Sequence, residues 1–240
     1  VMISGAPGAP YAPYSPYSLR VQAVLDPGLT RWMWLVKWLL AIPHYFALVL
    51  LHIAFVLVTV VAFFGVLITG RYPRPLFDFN VGVMRWSTRV SYYSSAVLGT
   101  DAYPPFTLKD VPDYPIRVDI TYPERLSRGL VLVKWLLIVP QLLVITLLVT
   151  SGWSAYQYLA DYSPFSSGLI GVLSLVAVVI LLCTGTYPRG LFDLLMGLMR
   201  WMLRVLVYAA LMTDEYPPFR LDMGGSEPAG AGALRPAPAG

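Results

Sequence analysis

Charge is scarce in this chain. Only 12% of its 240 residues are Asp, Glu, Lys or Arg, while 57% are hydrophobic. A soluble domain carries about 25% charge, so the shortage points to the membrane class. The formal net charge is only +4. The basic residues lie beside apolar runs rather than on a polar face, so nucleic acid is not an expected partner. Cysteine is almost absent. The single Cys183 excludes an intrachain disulfide framework or Cys-rich metal site, and within its apolar run it reads as a small buried side chain. Histidine is nearly absent too. His44 and His52 would point about 80° apart on a helix, and neither has a carboxylate or thiol at metal-ligand spacing. Their expected role is structural rather than haem or metal ligation. No glycine-rich phosphate loop, nucleophile elbow or zinc-binding helix pattern is present, and paired carboxylates are missing. These gaps argue against an enzyme and imply no cofactor.

What the chain has is a repeat. Thr69-Gly70-Arg71-Tyr72-Pro73-Arg74-Pro75-Leu76-Phe77-Asp78 returns as Thr184-Gly185-Thr186-Tyr187-Pro188-Arg189-Gly190-Leu191-Phe192-Asp193. Leu35-Val36-Lys37-Trp38-Leu39-Leu40 returns as Leu132-Val133-Lys134-Trp135-Leu136-Leu137. Met84-Arg85-Trp86 returns as Met199-Arg200-Trp201, and Tyr103–Phe106 returns as Tyr216–Phe219, both Tyr-Pro-Pro-Phe. The spacing is 97 residues at the lysines and 115 at the Tyr-Pro-Arg motifs, so the second copy holds 18 extra residues. The only polar interruption there, Ser151 to Gly168, is the insertion. The organisation is a Pro/Tyr-rich disordered tail (1–16), repeat 1 (17–110), repeat 2 (111–223, with insertion 151–168) and a disordered tail (224–240). The start of the chain has no basic n-region or apolar h-region and does not read as a signal peptide.

Leu19 to Leu25 and Ile116 to Ile120 read as short strands bounded by turns. Alone they are marginal, so the strands of the two copies are expected to pair, joined by extended pieces at Thr107-Leu108 and Arg220-Leu221. The apolar run Leu35–Thr69 would span about 52 Å as one helix, against a hydrocarbon core of about 30 Å. The expectation is a transmembrane hairpin in each copy. Its turn is tight near His52-Ile53 in the first copy and opened by the insertion in the second. Basic flanks before and after each hairpin, and a loop with no Lys or Arg, place the flanks and both termini in the cytoplasm. The loop aromatics Trp153, Tyr156, Tyr158, Tyr162 and Phe165 read as an interfacial belt or a partner-docking surface.

The third segment of each copy, Phe77–Leu98 and Phe192–Met212, carries a polar stripe: Asp78, Arg85 and Arg89, then Asp193, Arg200 and Arg204. At helical spacing each stripe falls within about 40°. An amphipathic helix in the cytoplasmic interface is the favoured reading. A re-entrant segment with paired Asp and Arg, or a helix lining a polar path, are the others. Lys37 and Lys134 are expected to snorkel beside Trp38 and Trp135. With Arg85, Arg89, Arg200 and Arg204 they would form a collar for anionic lipid headgroups.

The repeated motifs resemble a family of uncharacterised bacterial membrane proteins that carries domain of unknown function 4389, with tandem copies common in actinobacteria. The resemblance covers about residues 17 to 223 and implies a multi-pass protein of the bacterial plasma (inner) membrane. It brings no activity with it. The expected fold is mainly α and integral to the membrane: a tandem pseudo-twofold repeat with four transmembrane helices, interfacial helices and short cytoplasmic strands. The expected function is a non-enzymatic accessory or scaffold subunit of a larger membrane complex. The alternative is a small transporter or channel with a polar path between the repeats.

Overall fold

The computed structural model describes residues 17–149 and 168–222. Both tails, and all of the insertion except Gly168, lie outside the described residues, as do the five loop aromatics. The described chain is mainly helical, with one two-stranded sheet. The first copy contributes β1 (Leu19–Ala23), α1 (Trp34–Leu40), α2 (Ile42–Thr69) and α3 (Arg74–Ser94). The second contributes β2 (Ile116–Ile120), α4 (Arg128–Leu137), α5 (Val139–Val149), α6 (Leu169–Thr184) and α7 (Arg189–Ala209).

The expected turn near His52-Ile53 is not there. α2 runs through it without interruption for 28 residues, about 42 Å at 1.5 Å per residue. No Gly, Pro or cluster of turn residues stands at that point to break it. His52 even serves the helix, donating Nδ1–H to Leu48 O at 2.6 Å. The break comes earlier, at Ala41, because Pro43 lacks an N–H and leaves the Leu39 carbonyl without its helical donor. Pro140 repeats the effect in the second copy, where α4 gives way to α5 at Ile138.

The true hairpin turn is the Thr-Gly-x-Tyr-Pro-Arg motif. Gly70 and Gly185 both take φ 71°, a left-handed helix end that glycine reaches without Cβ strain. Gly70 N–H donates to Val66 O at 2.7 Å, and Gly185 N–H to Leu181 O at 2.8 Å. Pro73 and Pro188 then open the next helices in extended conformation. The third segment therefore does not turn away into a separate plane. α3 runs back antiparallel along α2, joined by polar pairs seven residues apart on each helix. Tyr45 Oη meets Ser94 Oγ at 2.7 Å, Ser87 Oγ meets His52 Nε2 at 3.4 Å, and Asn80 Nδ2 donates to Thr59 Oγ1 at 3.2 Å. Such small hydrogen-bonding residues let helices approach closely in an apolar setting.

The second copy also departs from the expected hairpin. Val149 corresponds to His52 and Gly168 is the last residue of the insertion, and here Gly168 N–H donates to Val149 O at 3.0 Å. α5 and α6 follow each other along α7, as the single α2 follows α3. Val144 and Leu148 of α5 and Leu169 and Leu173 of α6 line one cleft with Leu194, Leu198 and Trp201 of α7. Cys183, expected to be buried, is exposed on α6, because its face of the apolar helix points outward.

The strands pair antiparallel, with Leu19 opposite Ile120 and Val21 opposite Val118. One face of the sheet is buried through Leu19, Val21, Ala23, Ile116 and Val118. The extended pieces at Thr107-Leu108 and Arg220-Leu221 form no strand; they lie against the arginines described below. Three layers result. The apolar arms (α1–α2 and α4–α6) form one. α3 and α7 form the middle. The sheet and the irregular segments form the third. On a helical wheel Gly82, Arg85 and Arg89 lie about half a turn from Asn80, Ser87 and Ser94, which is why α3 can serve both neighbours. Ile42–Thr69 and Arg128–Thr146 are long and apolar enough to cross a membrane; Leu169–Thr184 is a shorter apolar helix.

The two corners yield a test. Gly70→Ala and Gly185→Ala should each cost about 1–2 kcal/mol through left-handed strain. A Cβ at Gly185 would also displace the Arg31 guanidinium, the far end of a flexible exposed side chain that can swing aside at little cost. Gly129 in α4 and Gly190 in α7 have nothing within 4 Å of where a Cβ would stand, so alanine there should be neutral or stabilising by up to about 1 kcal/mol. Thermal melting of the four variants in one detergent separates the two outcomes.

Candidate functional site

α1 and α4 each turn one lysine inward. Lys37 is 2% exposed and Lys134 is fully buried. Lys37 Nζ donates to Thr100 O at 2.7 Å and pairs with Asp101 Oδ1 at 2.7 Å, with the Tyr93 ring centroid 5.4 Å away. Lys134 Nζ repeats the pattern with Thr213 O at 2.7 Å, Asp214 Oδ1 at 2.6 Å and the Tyr208 ring at 5.3 Å. The second carboxylate oxygens bind backbone N–H groups ahead of the lysine helices, Thr30 at 2.6 Å and Ser127 at 2.7 Å. Each clamp thus ties the start of its apolar arm to the segment that follows the arginine-bearing helix. The expected snorkelling lysine is corrected here. An internal carboxylate, a carbonyl and an aromatic face hold the ammonium inside, against a desolvation cost that lowers its pKa.

The clamps are built with strain. Leu98 (φ 56°) and Leu211 (φ 63°) occupy the left-handed region, where a branched side chain costs about 1–2 kcal/mol. Both stand two residues before the clamp threonine, so the strain aims the Thr-Asp pair at its lysine in both copies. Burial raises the pKa of the Asp101 carboxyl, but hydrogen bonds and charge from Lys37 and the Thr30 N–H outweigh it and hold the group below the ordinary 3.8.

The arginine stripes close on the third layer, and the first arginine of each does so across the repeat. Arg85 of the first copy donates Nε–H to Val118 O of the second at 2.9 Å and pairs with Asp119 at 3.1 Å. Arg200 of the second donates Nε–H to Val21 O of the first at 3.0 Å. Arg89 is 3% exposed and binds the carbonyls of Thr107 and Lys109. Arg204 pairs with Asp222, whose carbonyl Arg200 also binds. The stripes are therefore interior supports. Their acidic members stand apart from them: Asp78 pairs with Arg74 at 3.4 Å on the exposed side of α3, and Asp193 is half-buried in a cleft beside Gly185 and Arg189.

Beside each clamp lies an aromatic cluster. Trp86 Nε1–H donates to His44 Nδ1 at 3.0 Å, and His44 stacks on Phe106 at 3.8 Å. In the second copy Trp201 Nε1–H donates to Gln141 Oε1 at 3.0 Å, while Gln141 Nε2 donates to Pro217 O at 2.8 Å. Histidine and glutamine hold the same place because each offers an acceptor to a buried indole. No group of three metal-binding side chains occurs among the described residues.

Basic groups open to the outside sit elsewhere. Arg71, Arg125 and Arg128 line a cleft of about 550 Å³ around Thr69 and Gly70. All three are exposed. Arg128 Nε lies 3.4 Å from where a Cβ of Gly70 would stand, and Arg31 covers Gly185 in the same way. A cation at the C-terminal end of a helix also complements its dipole. The spacing of Arg31 and Arg128, 97 residues like that of the lysines, marks them as equivalent. Only contact with the opposite copy shows what they do.

These features define a mainly helical, duplicated protein in which each copy is an antiparallel helical pair closed by a buried lysine clamp. The family described as Domain of unknown function (DUF4389) matches residues 31–107 and 162–220, as two copies of the domain. The matches cover more than half of the chain, and the protein belongs to that family. No curated protein and no solved structure matches it.

Three outcomes test the site. Lys37→Met should destabilise by about 3 kcal/mol by leaving a partly buried carboxylate unpaired. Lys37→Met/Asp101→Asn should cost less than the sum of the single changes, as a double-mutant cycle on melting data would show. His44→Gln should be nearly neutral, whereas His44→Leu should cost about 1–3 kcal/mol by orphaning the Trp86 N–H. Acid should weaken the clamp. The stability from Asp101 is complete above its ordinary pKa of 3.8 and is lost as pH falls through its lower folded value. Asp101→Asn should flatten that acid limb of the stability curve, below the ordinary carboxylate pKa of 3.8.

Proposed function

We propose that the protein is a non-enzymatic scaffold subunit seated in the bacterial inner membrane, where it supports other membrane proteins among anionic lipids. The observation that carries this reading is a division of labour between its surfaces. The buried cations, Lys37, Lys134, Arg89, Arg200 and Arg204, hold the fold together. The apolar arms present an uncharged outer face through side chains such as Phe46, Leu50, Leu57, Ile68, Leu136 and Leu175, each more than half exposed. Asp78 pairs with Arg74 on the exposed side of α3, which favours this reading over a transport path lined by the Asp/Arg stripes. An affinity-tagged full chain, extracted from its native membrane in a mild detergent, should migrate above its own mass on a native gel with a fixed set of membrane proteins. Migration as a solitary protein at every detergent tested would reject the scaffold role.

A further inference from the structure

We propose that the apolar arms lie in the plane of a single leaflet, with α3 and α7 above them and the sheet facing water, rather than crossing the bilayer. This deepens the proposed membrane seat and rests on it. α2 and α3 run side by side, so any pose that sets α2 across the bilayer sets α3 across it too. The third layer runs along α3, from Tyr122 at the Tyr72 corner to Val24 at Tyr92, and its charged groups attach at the middle. Arg85 holds Val118 and Asp119, and Arg89 holds Thr107 and Lys109. A spanning pose therefore carries this layer to the centre of the hydrocarbon. There it would expose the Asp119 carboxylate, 55% accessible, and the Arg117–Asp110 pair, 38% and 30% accessible. Charges are costly at that depth and are found there only when they face protein or water. The irregular backbone between α3 and β2 would be lipid-exposed as well, which hydrocarbon does not tolerate.

Rotating the molecule by a quarter turn removes the conflict. The outer faces of α1–α2 and α4–α6 then enter the acyl region together. The polar face of the sheet, with Gln22, Arg117 and Asp119, points to water. The ends of the arms carry the exposed basic groups, Arg31 and Arg189 at one corner and Arg71, Arg125 and Arg128 at the other, at the level where anionic headgroups lie. Trp32, Trp38 and Trp135 are 67%, 56% and 49% exposed, which suits indoles at an interface. The occupant of the apolar face is thus the lipid of one leaflet, and the headgroup ligands are surface arginines rather than the buried lysines.

The test uses the full chain in sealed membrane vesicles of both orientations, with Cys183→Ser as background. Single cysteines go at Thr30 (Thr30→Cys, beside α1), Arg71 (Arg71→Cys, after α2) and Gln22 (Gln22→Cys, on the sheet). A membrane-impermeant maleimide should label all three from the same side. A spin label at Val56→Cys, midway along α2, should lie about 5–10 Å below the phosphates. Labelling of Thr30→Cys and Arg71→Cys from opposite sides, or a Val56 label near the bilayer centre about 15 Å down, would overturn the in-plane seat while leaving the scaffold reading intact. A Val56 label shielded from lipid-soluble oxygen by another chain would overturn lipid as the occupant. Release of the chain by alkaline carbonate would overturn the membrane reading itself. Quenching of the native tryptophans by brominated lipids repeats the depth measurement without substitutions: shallow bromines should quench more strongly than deep ones, and the reverse order would reject the pose.

Discussion

A buried cation must meet an acceptor, and in a chain so poor in carboxylates most acceptors have to be backbone carbonyls. That constraint organises this protein. Lys37, Lys134, Arg89, Arg200 and Arg204 are each at most 3% exposed. An unpaired charge at such depth costs several kcal/mol. Charge-assisted bonds to carbonyls offset part of that, and they need carbonyls that no helix or ladder already uses. The chain supplies them from irregular segments, at Thr100, Thr107, Lys109 and Thr213, and from strand residues Val21 and Val118. The short extended pieces after each Tyr-Pro-Pro-Phe motif are thus acceptors held against arginine, which is why they never become strands.

The same constraint explains why the two copies need each other. β1 belongs to the first copy and is held by Arg200 of the second, while β2 belongs to the second and is held by Arg85 of the first. Arg31 and Arg128 cover the glycine corners of the opposite copies in the same reciprocal way. Val21 faces Val118 across the ladder, so the two arginines flank one residue pair from opposite edges. A single copy would have one strand without a partner, one arginine without its carbonyl and one helix end uncovered. Duplication therefore completes each unit as well as repeating it.

Much of this was legible in the sequence. The two domain copies follow from motif spacing, and the two strands from their alternation between turn residues. The site was legible only in part. Asp/Arg stripes at helical spacing mark α3 and α7 correctly, but spacing cannot show that Arg85 and Arg200 point at carbonyls of the other copy. Lys37 and Lys134 look like snorkelling lysines because their partners, Asp101 and Asp214, lie 64 and 80 residues away and are joined by no local pattern. The signal that could have found them was the Thr-Asp dipeptide just before each Tyr-Pro-Pro-Phe motif, repeated as faithfully as the lysines. The hairpin expectation failed for a different reason. It took the bilayer thickness as the limit on helix length, although the chain holds no turn residue near His52 and a full turn signal at Gly70–Pro73.

The insertion shows how far the fold tolerates change along the apolar arms and how little at the corners. After Thr150 the second copy accepts the 18 residues Ser151 to Gly168, yet Gly168 N–H still meets Val149 O at 3.0 Å, and α5 and α6 keep one apolar face toward α7. The polar pairs that join α2 to α3 are dispensable too: Asn80, Ser87 and Ser94 are replaced in the second copy by Leu195, Met202 and Ala209, and Ser174, in the place of Thr59, donates instead to Ala96 O of the first copy at 2.9 Å. The lysine clamp, the left-handed leucine, the indole acceptor and the glycine corner all persist. Continuity of the arm and the polarity of its inner seam can vary, because apolar packing is non-directional and forgiving. The clamp and corner cannot, because each satisfies a buried charge or an orphaned backbone group that has no other partner within reach. What the duplication preserves is the set of contacts that lets an almost uncharged chain keep its few charges inside.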